Sequence, residues 1–434
     1  MNPKRNILLL GSGGREHALA WKLRQSPRCG QLYIAPGNGG TINCGVNLPI
    51  NPTDFGSVAD AVRQHAIDMV VVGPEEPLVR GLGDYFQAEA SLRDVLFVGP
   101  SGEGARLEGS KSFAKAFMQR HGIPTAAYKR FSATEREEGL NYIASHPTPI
   151  VLKADGLAAG KGVLICPTRN EAAKEFEAML DGKFGEAGAS VVIEQFLRGI
   201  EFSVFALTDG ERYVLLPEAK DYKRIGEGDT GLNTGGMGAV SPLPFCDAAL
   251  TERVEREIVS PTIAGLQAEG IRYRGFLFFG LMLCGEQPCV IEYNCRLGDP
   301  ETEAILPRIE EDLVALLEQC ADGNLVQRKL AVSDRASAVV VLASEGYPGD
   351  YAKGREISGA DGTGEAVVFH AGTRLESDGR LLSAGGRVMA VMAMRDTLEE
   401  ALGKARSGAE TIQFEGKYFR RDIGADILNL QTRT

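Results

Sequence analysis

The sequence lacks paired cysteines, long apolar runs and an excess of basic residues. None of its 8 cysteines belongs to a Cys-x-x-Cys pair or lies at a zinc-ligand spacing from a histidine, which is typical of small buried thiols in a reducing compartment. No apolar run approaches the length of a transmembrane helix, and the run that ends at Leu10 is too short for a signal peptide. With 47 basic and 58 acidic side chains, the net charge of -11 disfavours nucleic acid as the main partner. These absences predict a cytoplasmic protein that binds neither nucleic acid nor a membrane.

Glycine, in contrast, is abundant. The chain has 53 glycines among 434 residues, so many backbone positions must turn tightly or approach a ligand. A chain of this length exceeds one ordinary hydrophobic core, and we expect about three domains. Backbone amides and a few lysines can hold phosphate groups despite the net negative charge, so this composition is compatible with small phosphorylated ligands.

The first hundred residues repeat a short apolar run followed by a loop of glycine or proline. Each run has the length of a buried strand, and helical patterns lie between the runs. The four predicted strands are Ile7 to Leu10, Leu32 to Ala35, Met69 to Val72 and Val95 to Val98. Strands that alternate with helices form a parallel sheet, so the loops should gather at its carboxyl edge, where ligands bind.

The loop after the first strand is similar to a dinucleotide-binding fingerprint but is incomplete. Gly11 and Gly13 are in place, whereas Glu16 replaces the third glycine of the G-x-G-x-x-G pattern. Backbone amides at the start of a helix suit a single phosphate equally well, and Arg15 would pair with it. The sequence therefore disfavours an NAD-dependent dehydrogenase.

A second glycine-rich connection lies between two apolar runs in the central part of the chain. The run from Ile150 to Lys153 leads into it and Val163 to Ile165 leads out, which predicts a hairpin with a mobile lid. A Walker A loop is excluded, because three residues separate Gly156 from Gly160, and Gly162 follows Lys161 in place of a serine or threonine.

Two lysines indicate an anionic ligand near this hairpin. Lys153 ends an apolar run that looks buried, and a lysine in such a position needs an anionic partner. Lys111 lies at the start of a predicted helix and would face the same partner from the other side. Either lysine alone is more often a side chain that buries only its stem, but the two together fit one nucleotide.

A later strand is predicted to have one polar face. A period of two puts Glu292, Asn294 and Arg296 on that face and Ile291, Tyr293 and Cys295 on the other. A carboxylate, an amide oxygen and a guanidinium together suit magnesium bound to triphosphate oxygens. The alternative for this face, taken alone, is a solvated surface with a salt bridge.

Two further regions complete the pattern. The glycine-rich and charged stretch 220–241 is expected to be a functional loop, because long irregular segments inside compact domains usually are. After Gly323 the chain changes to short strands and one helix, which predicts a separate small α+β domain.

Several longer motifs resemble those of a known family. The motif from Lys153 to Val163 and the motif from Arg296 to Glu301 look like signatures of the phosphoribosylamine-glycine ligases, also called glycinamide ribonucleotide synthetases, in the ATP-grasp superfamily. The likeness covers essentially the whole chain. Its other motifs are Gly13 to Ala18, Ala35 to Asn38, Gly73 to Glu75 and Gly226 to Gly231.

The resemblance implies a multidomain α/β and α+β fold. We expect an open parallel amino-terminal α/β sheet in 1–104, a central ATP-grasp fold in 105–325 and a small carboxy-terminal α+β domain in 326–434. A mobile lid subdomain would occupy about 124–190, and the family suggests a monomer.

The implied reaction uses ATP to join glycine to 5-phosphoribosylamine through glycyl phosphate. Its products are glycinamide ribonucleotide, ADP and phosphate, in the second step of de novo purine biosynthesis. Three other interpretations stay open. They are another ATP-grasp carboxylate-amine ligase or carboxylase, an NAD-dependent dehydrogenase, and a nucleotide-binding regulator without catalytic activity.

The resemblance also implies residue roles. Catalytic roles fall on Lys153, Arg296 and Asp221, while Glu292 and Asn294 would bind magnesium or manganese. The residues implied for ATP are Lys111, Lys153, Gly160, Lys161, Gly162, Glu194, Gln195, Phe196, Leu197 and Glu201. The residues implied for glycine and phosphoribosylamine are Gly13, Gly14, Arg15, Glu16, Asn38, Pro74, Glu75, Asn233, Thr234, Gly235, Gly236, Met237, Arg296 and Asp299.

The chain departs from the family pattern at four positions. Lys220 and Tyr222 stand where the family has glutamine and histidine, and Cys295 and Leu297 replace the more usual valine and phenylalanine. Because the neighbouring charged residues are kept, we expect these changes to affect local packing and fine substrate contacts more than the activity.

Overall fold

The computed structural model describes residues 4–158 and 162–431. The amino-terminal part of the chain forms a parallel sheet. The strands of this sheet are β1 (Arg5–Gly11), β2 (Cys29–Pro36), β3 (Val46–Asn47), β4 (Met69–Val72) and β5 (Leu96–Val98). Their order is β3-β2-β1-β4-β5, and every neighbouring pair is parallel. The predicted amino-terminal sheet is confirmed. Strand β3 was not predicted, because two residues are too few to show a period.

Helices connect these strands and lead out of the sheet. They are α1 (Gly14–Arg24), α2 (Phe55–Gln64), α3 (Glu75–Val79), α4 (Leu82–Ala88), α5 (Gly102–Gly109) and α6 (Lys111–Arg120). Helix α6 begins at Lys111 because the extended Ser110 caps it, with the Ser110 hydroxyl accepting a hydrogen bond from the Phe113 amide at 3.2 Å. The cap fixes Lys111 at the first position of its helix.

A four-stranded antiparallel sheet follows. Its elements are β6 (Tyr128–Ser132), α7 (Arg136–Ser145), β7 (Ile150–Ala154), β8 (Val163–Cys166), α8 (Arg169–Ala178) and β9 (Ser190–Gln195). The strand order is β6-β9-β7-β8, so β7 and β8 form the predicted hairpin and β9 covers the other edge of β7. Apolar side chains of α7 and α8, including Ile143 and Phe176, pack on this sheet.

The rest of the chain is organised by one long sheet. The strands after β9 are β10 (Ile200–Thr208), β11 (Tyr213–Asp221), β12 (Arg224–Gly226), β13 (Thr230–Asn233), β14 (Gly238–Ser241), β15 (Gly275–Cys284), β16 (Gln287–Asn294), β17 (Ala336–Ser344), β18 (Val367–His370), β19 (Thr373–Leu375), β20 (Leu381–Ser383), β21 (Arg387–Arg395) and β22 (Lys417–Tyr418). The long sheet runs β16-β15-β10-β11-β14-β17-β21-β18, with β22 also paired to β17. Strands β12 with β13, and β19 with β20, form two separate hairpins.

The long sheet crosses the expected boundary between the second and third domains. Strand β14 pairs with β11 on one side and with β17 on the other, so strands after residue 326 extend the sheet that carries β16. The strands β15 and β17 are almost wholly buried, as expected for interior strands with both faces covered. The domain limits themselves stay a prediction.

Helices surround the long sheet. They are α9 (Ala248–Val254), α10 (Ser260–Ala268), α11 (Glu301–Ile305), α12 (Leu313–Asp322), α13 (Leu398–Thr411) and α14 (Ala425–Gln431). Within residues 4–158 and 162–431, no helix has both the length and the apolar character needed to cross a bilayer.

Candidate active site

A cleft between the three sheets holds most of the predicted site residues. Those that line it are Arg15, Glu75, Lys111, Lys153, Gly162, Glu194, Gln195, Phe196, Leu197, Glu201, Asp221, Asn233, Thr234, Gly235, Glu292, Asn294, Arg296 and Asp299. Seven others are not part of its wall, namely Gly13, Gly14, Glu16, Asn38, Pro74, Gly236 and Met237. Gly160 and Lys161 lie outside the described residues. The cleft also contains residues that were not predicted as site residues, among them Glu108, Lys115, Lys223, Glu301, Tyr347 and Arg387.

A buried ion network forms one wall. The Glu194 carboxylate lies between two ammonium groups, 2.9 Å from Lys115 Nζ and 3.1 Å from Lys153 Nζ. All three residues are at most 3% exposed. Lys153 Nζ also donates to the Ile291 carbonyl at 3.0 Å. Burial lowers the pKa of Lys115 to about 8, although Glu194 opposes the shift. Glu194 thus provides an anionic partner for Lys153 within the protein. The nucleotide that the sequence predicts as its partner stays a prediction.

Lys111 lines the same cleft from the start of α6. Its Nζ donates to the Gly156 carbonyl at 3.4 Å, which joins α6 to the connection between β7 and β8. Burial lowers the pKa of Lys111, the Glu292 carboxylate raises it and the Lys153 charge lowers it again. Two cations next to each other in a partly closed cleft would favour a bound polyanion.

The predicted polar face of β16 is formed with the help of a β-bulge. Pairing with β15 shifts between Gly280, which faces Glu292, and Leu281, which faces Val290. The extra residue, Ile291, therefore lies on the same face as Glu292, between Val290 and Tyr293 of the core, and the prediction that it lies on the opposite face is wrong. Tyr293 is in the core, as predicted.

Glu292 and Asn294 have the chemistry of a divalent-metal site. Burial raises the pKa of the Glu292 carboxyl, but the charges of Lys223, Lys153 and Lys111 outweigh it, so the pKa lies below its ordinary value and the group is ionised. Among the described residues no cluster of three or more acidic, histidine or cysteine side chains could hold a metal. Two protein oxygens fit a magnesium-like ion that takes its other ligands from phosphate and water.

Asp221, Glu301 and Lys223 form a second charged group beside this site. Lys223 Nζ contacts the Glu201 carboxylate and lies 3.8 Å from Glu292 Oε1. Burial raises the pKa of Asp221, and Glu201 adds to the rise against Lys223. Burial together with Asp221 raises the pKa of Glu301 to about 8. Glu201 thus meets a lysine at the cleft wall.

Arg296 connects β16 to the amino-terminal region. Its Nη2 lies 2.8 Å from Glu108 Oε1 and its Nε lies 3.3 Å from Glu75 Oε2. Glu108 also accepts hydrogen bonds from the Cys295 amide and thiol. Cys295 lies in the core and is not part of the cleft wall, as predicted. Burial raises the pKa of Glu108 while the Arg296 guanidinium lowers it.

The first glycine loop is occupied by the protein's own carboxylates. A Cβ on Gly11 or Gly73 would lie 2.4 or 2.1 Å from Glu16 side-chain atoms, so the Glu16 carboxylate fills the space that these glycines create. Glu16 accepts from the Gly13 amide at 2.6 Å, and Asp299 accepts from the Arg15 amide at 3.4 Å. Two carboxylates thus bind the loop amides that would hold a dinucleotide phosphate, and one of them belongs to Glu16, which replaces the third glycine.

Residues of the carboxy-terminal part of the chain, after residue 326, reach this loop and the cleft. The Asn38 side-chain amide donates to the Ser12 carbonyl at 2.9 Å and to the His370 carbonyl at 2.7 Å, and the His370 amide donates to His17 Nδ1 at 2.7 Å. Burial lowers the pKa of His17 to about 3 and that of His370 to about 4. Asn38 thus ties the first loop to β18 instead of lining the cleft.

Arg387 and Tyr347 shape the glycine turn at the cleft. Arg387 Nη1 donates to the Gly235 carbonyl at 2.6 Å and lies 3.0 Å from Asp299 Oδ1, while the Gly235 amide donates to the Tyr347 hydroxyl at 3.0 Å. Gly236 has φ +115°, which a side chain would strain. These contacts join segments far apart in the sequence, so no local pattern predicts them.

This geometry gives the cleft two chemically different ends. Lys111, Lys153 and the Glu292 face suit a metal-bound polyphosphate, next to the connection from β9 to β10 that carries Phe196 and Leu197. Carboxylates, arginines and a glycine turn line the other end, which suits small polar substrates. A group activated at the first end could react at the second without leaving the cleft.

The fold and this cleft define a member of the ATP-grasp class. Residues 109–302 match the family model described as phosphoribosylglycinamide synthetase, ATP-grasp (A) domain. Residues 5–108 match the N domain of the same family and residues 337–426 match its C domain. The chain belongs to the phosphoribosylglycinamide synthetase family.

Curated relatives and solved structures agree with this assignment. The chain is 48% identical over 424 residues to the phosphoribosylamine-glycine ligase of Pasteurella multocida, covering 96% of this chain and 97% of the relative. The Rhizobium meliloti ligase is 47% identical, with the same coverage of both chains. The crystal structure of the Thermotoga maritima ligase superposes with a TM-score of 0.84 at 37% identity, covering 96% of this chain and 99% of that one.

Proteins of other activities share the fold. The biotin carboxylase domain of Hydrogenobacter thermophilus 2-oxoglutarate carboxylase, solved with magnesium and ADP, has a TM-score of 0.71 at 16% identity, over 97% of this chain and 93% of that one. At this identity the likeness shows the fold alone.

Proposed function

We propose that the chain is a phosphoribosylamine-glycine ligase. It uses ATP to join glycine to 5-phosphoribosylamine through glycyl phosphate, and it releases glycinamide ribonucleotide, ADP and phosphate in the second step of de novo purine biosynthesis. The observation that carries this proposal is the single cleft in which Lys111, Lys153, Glu292 and Asn294 meet, in a chain that belongs to this family along its length.

ATP would bind between the four-stranded sheet and β16. Lys111 and Lys153 would neutralise its phosphates, and the backbone of Glu194 to Leu197 would hydrogen-bond adenine where the chain passes from β9 to β10. Glu201 would hold the ribose hydroxyls. Gly162, with Gly160 and Lys161, would belong to a lid that closes over the phosphates, and exclusion of water would protect the labile acyl phosphate.

Glu292 and Asn294 would hold magnesium or manganese against the phosphate oxygens. The ion would supply positive charge to the transferring phosphoryl group. The low pKa of Glu292 supports this role, because an ionised carboxylate is the form that binds a metal.

The chemical obstacle in the reaction is negative charge. A glycine carboxylate must attack an anionic phosphate, so catalysis depends on positioned cations more than on a covalent protein nucleophile. Lys153 and Arg296 would offset the developing charge, and Asp221 would be the third catalytic residue. The phosphoribosylamine nitrogen then attacks the acyl carbon, and phosphate leaves.

The substrates would bind at the second end of the cleft. Arg15, Glu75, Asp299 and Arg296 on one side and the turn 233–237 on the other would contact glycine and phosphoribosylamine. The remaining predicted residues, Gly13, Gly14, Glu16, Asn38 and Pro74, would shape the loops behind the wall.

The larger organisation follows the family. We propose three domains, 1–104, 105–325 and 326–434, with a lid subdomain at about 124–190. The protein would be a cytoplasmic monomer that acts on small molecules and binds neither nucleic acid nor membranes.

Another ATP-grasp carboxylate-amine ligase or a carboxylase is the alternative, because biotin carboxylases share the fold. ADP release is to be measured with each substrate omitted in turn. We expect release to need glycine and phosphoribosylamine together, and release driven by bicarbonate or another acid would favour the alternative.

Lys153→Ala and Glu292→Ala test the site itself. Each should lower glycine-dependent ADP release at least about 100-fold, because each removes charge that stabilises phosphoryl transfer. The matched controls Lys174→Ala and Glu186→Ala change exposed residues of the same region and should keep normal turnover. Normal turnover in either site variant would refute its role.

A further inference from the structure

The β12–β13 hairpin is an exposed element that carries part of the cleft wall. Arg224, Asp229 and Asn233 line the cleft, whereas 227–232 are exposed to solvent. At the tip, Gly228 and Asp229 have φ values of +68° and +55°, as in a tight hairpin turn. Two short strands alone are marginally stable in water, so this hairpin needs support from elsewhere.

The support comes from a segment almost 200 residues further along the chain. Arg420 Nη1 donates to the Arg224 carbonyl at 3.0 Å and to Asp229 Oδ1 at 2.8 Å. Tyr418 and Asp422 add two bonds, from the Tyr418 hydroxyl to the Ile225 carbonyl and from the Gly228 amide to Asp422 Oδ2, both at 2.8 Å. The first strand of the hairpin and its tip are thus held by one short segment.

Arg420 is the centre of this arrangement. It is 1% exposed, and two of its nitrogens bind the Asp422 carboxylate at 2.8 and 2.7 Å, which fixes the guanidinium plane. The remaining Nη1 faces the hairpin. A buried arginine that joins its own segment to one neighbouring loop is a costly device for simple packing.

A second attachment involves two of the four departures from the family pattern. The Tyr222 hydroxyl donates to Asp426 Oδ1 at 2.5 Å, and Lys220 Nζ lies 3.3 Å from Asp426 Oδ2. Lys220 Nζ also lies 4.3 Å from the centre of the Tyr222 ring, and the guanidinium carbon of Arg420 lies 5.4 Å from the same centre. The replacements at 220 and 222 therefore bind the same C-terminal segment as the hairpin.

We infer that residues 418–426 form a C-terminal clamp that holds 220–233 in the geometry needed at the substrate end of the cleft, with Arg420 as its positioning residue. The stretch between the two attachments contains Asp221 and Lys223, and the hairpin contributes Arg224 and Asp229. The clamp acts on the reaction proposed above and rests on that proposal for its catalytic readout, but its structural readout does not depend on it.

Arg420→Met in the full-length protein tests the clamp. Hydrogen exchange of the 225–232 amides should become at least about tenfold faster, because the hairpin loses its anchor. The value of kcat/KM for glycine and phosphoribosylamine should fall roughly 10- to 100-fold, as expected for misplaced substrate contacts. The dissociation constant of a non-hydrolysable ATP analogue should change several-fold less than kcat/KM. Lys223, through Glu201 and Glu292, joins the clamped stretch to the nucleotide end, whereas Lys111 and Lys153 bond to Gly156 and Glu194.

Two further variants distinguish positioning from general stability. Arg420→Lys keeps the charge but not the two-pronged pairing, so it should restore part of kcat/KM. Arg355→Met removes an exposed arginine that pairs with Glu415 in the same carboxy-terminal part of the chain. It should leave hairpin exchange and turnover as in the wild type. A loss of nucleotide binding in parallel with turnover would indicate a merely structural role and overturn the inference.

The outcome is decided even if Arg420→Met fails to fold. Asp229→Ala removes the half-exposed partner of Arg420, and Tyr222→Phe removes the bond to Asp426. Unchanged hairpin exchange in both would overturn the clamp. If the wild type shows no glycine-dependent ADP release, the proposed function fails, while the exchange measurements still judge the clamp by themselves.

Discussion

Glu194 lies between the Nζ atoms of Lys115 and Lys153 and is 3% exposed. In water these three charges would be solvated separately. Inside the protein, each lysine depends on the same carboxylate, so the network behaves as one unit.

Glu194→Gln should therefore lower the free energy of unfolding by about 3–5 kcal/mol, because it leaves two buried ammonium groups without a counter-charge. The measurement is urea unfolding in the absence of nucleotide. Glu175→Gln is the control, since Glu175 pairs with Lys183 at the surface and should cost less than about 1 kcal/mol. Equal losses in the two variants would contradict this account of the network.

At this scale the sequence predicts side chains that share one strand or one loop. The period of two brings Glu292, Asn294 and Arg296 to the cleft as expected, and Lys111 and Lys153 meet there. Lys115 and Arg387 were not predicted as site residues, because burial next to Glu194 and contact with Gly235 are set by packing between distant elements. The bulge at Ile291 was also missed, since nothing in the local pattern marks an extra residue in a strand.

The start of α1 illustrates how elements constrain one another. A Cβ on Gly14 would lie 2.3 Å from Glu303 Oε1, and Glu303 on α11 is fully buried. Burial holds the pKa of Glu303 well above its usual range, and Asp299 adds to the rise. The two helices can approach only because residue 14 has no side chain.

Gly14→Ala should destabilise the protein by about 1–3 kcal/mol, the usual cost of an added methyl in a close-packed contact. Gly403→Ala is the opposite case, because Gly403 lies within α13 and its Cβ would meet nothing within 4 Å. That change should stabilise by about 0.5–1 kcal/mol. Thermal unfolding of the two variants checks both signs, and destabilisation by both would rule out the contact as the cause.

For the elements, the repeated strand and loop pattern was enough to predict the parallel sheet and the β7–β8 hairpin. It could not predict the long sheet. Strands β14 and β17 pair across almost a hundred residues, and strand periodicity says which face of a strand is buried but not which strand lies beside it.

At the scale of the whole molecule, His17 and His370 join the amino-terminal part of the chain to the carboxy-terminal part. His17 is buried and His370 half-buried, and both are neutral, with pKa values of about 3 and about 4 against about 6.5 in the unfolded chain. The unfolded state binds more protons below pH 6.5, so the stability that the neutral rings contribute is complete above that pH and is lost as the pH falls towards 4 and then 3.

The unfolding free energy of the wild type should therefore decrease as the pH is lowered from 6.5 to 4, by up to about 1.4 kcal/mol per pH unit for each histidine. Denaturant unfolding at a series of pH values gives this slope. His17→Gln should lower stability at pH 7 yet flatten the slope in this window, because it removes one proton-binding difference. An unchanged slope would assign the acid sensitivity to other groups.

The shared sheet has a consequence for any shortened form of this protein. If the chain ended before β17, β14 would become an outer strand, and the backbone groups of residues 238–241 that now bond to β17 would lie open to another polypeptide. Proteolysis or a premature stop before β17 would thus produce an aggregation-prone fragment rather than a smaller enzyme, and cellular quality control would have to recognise it.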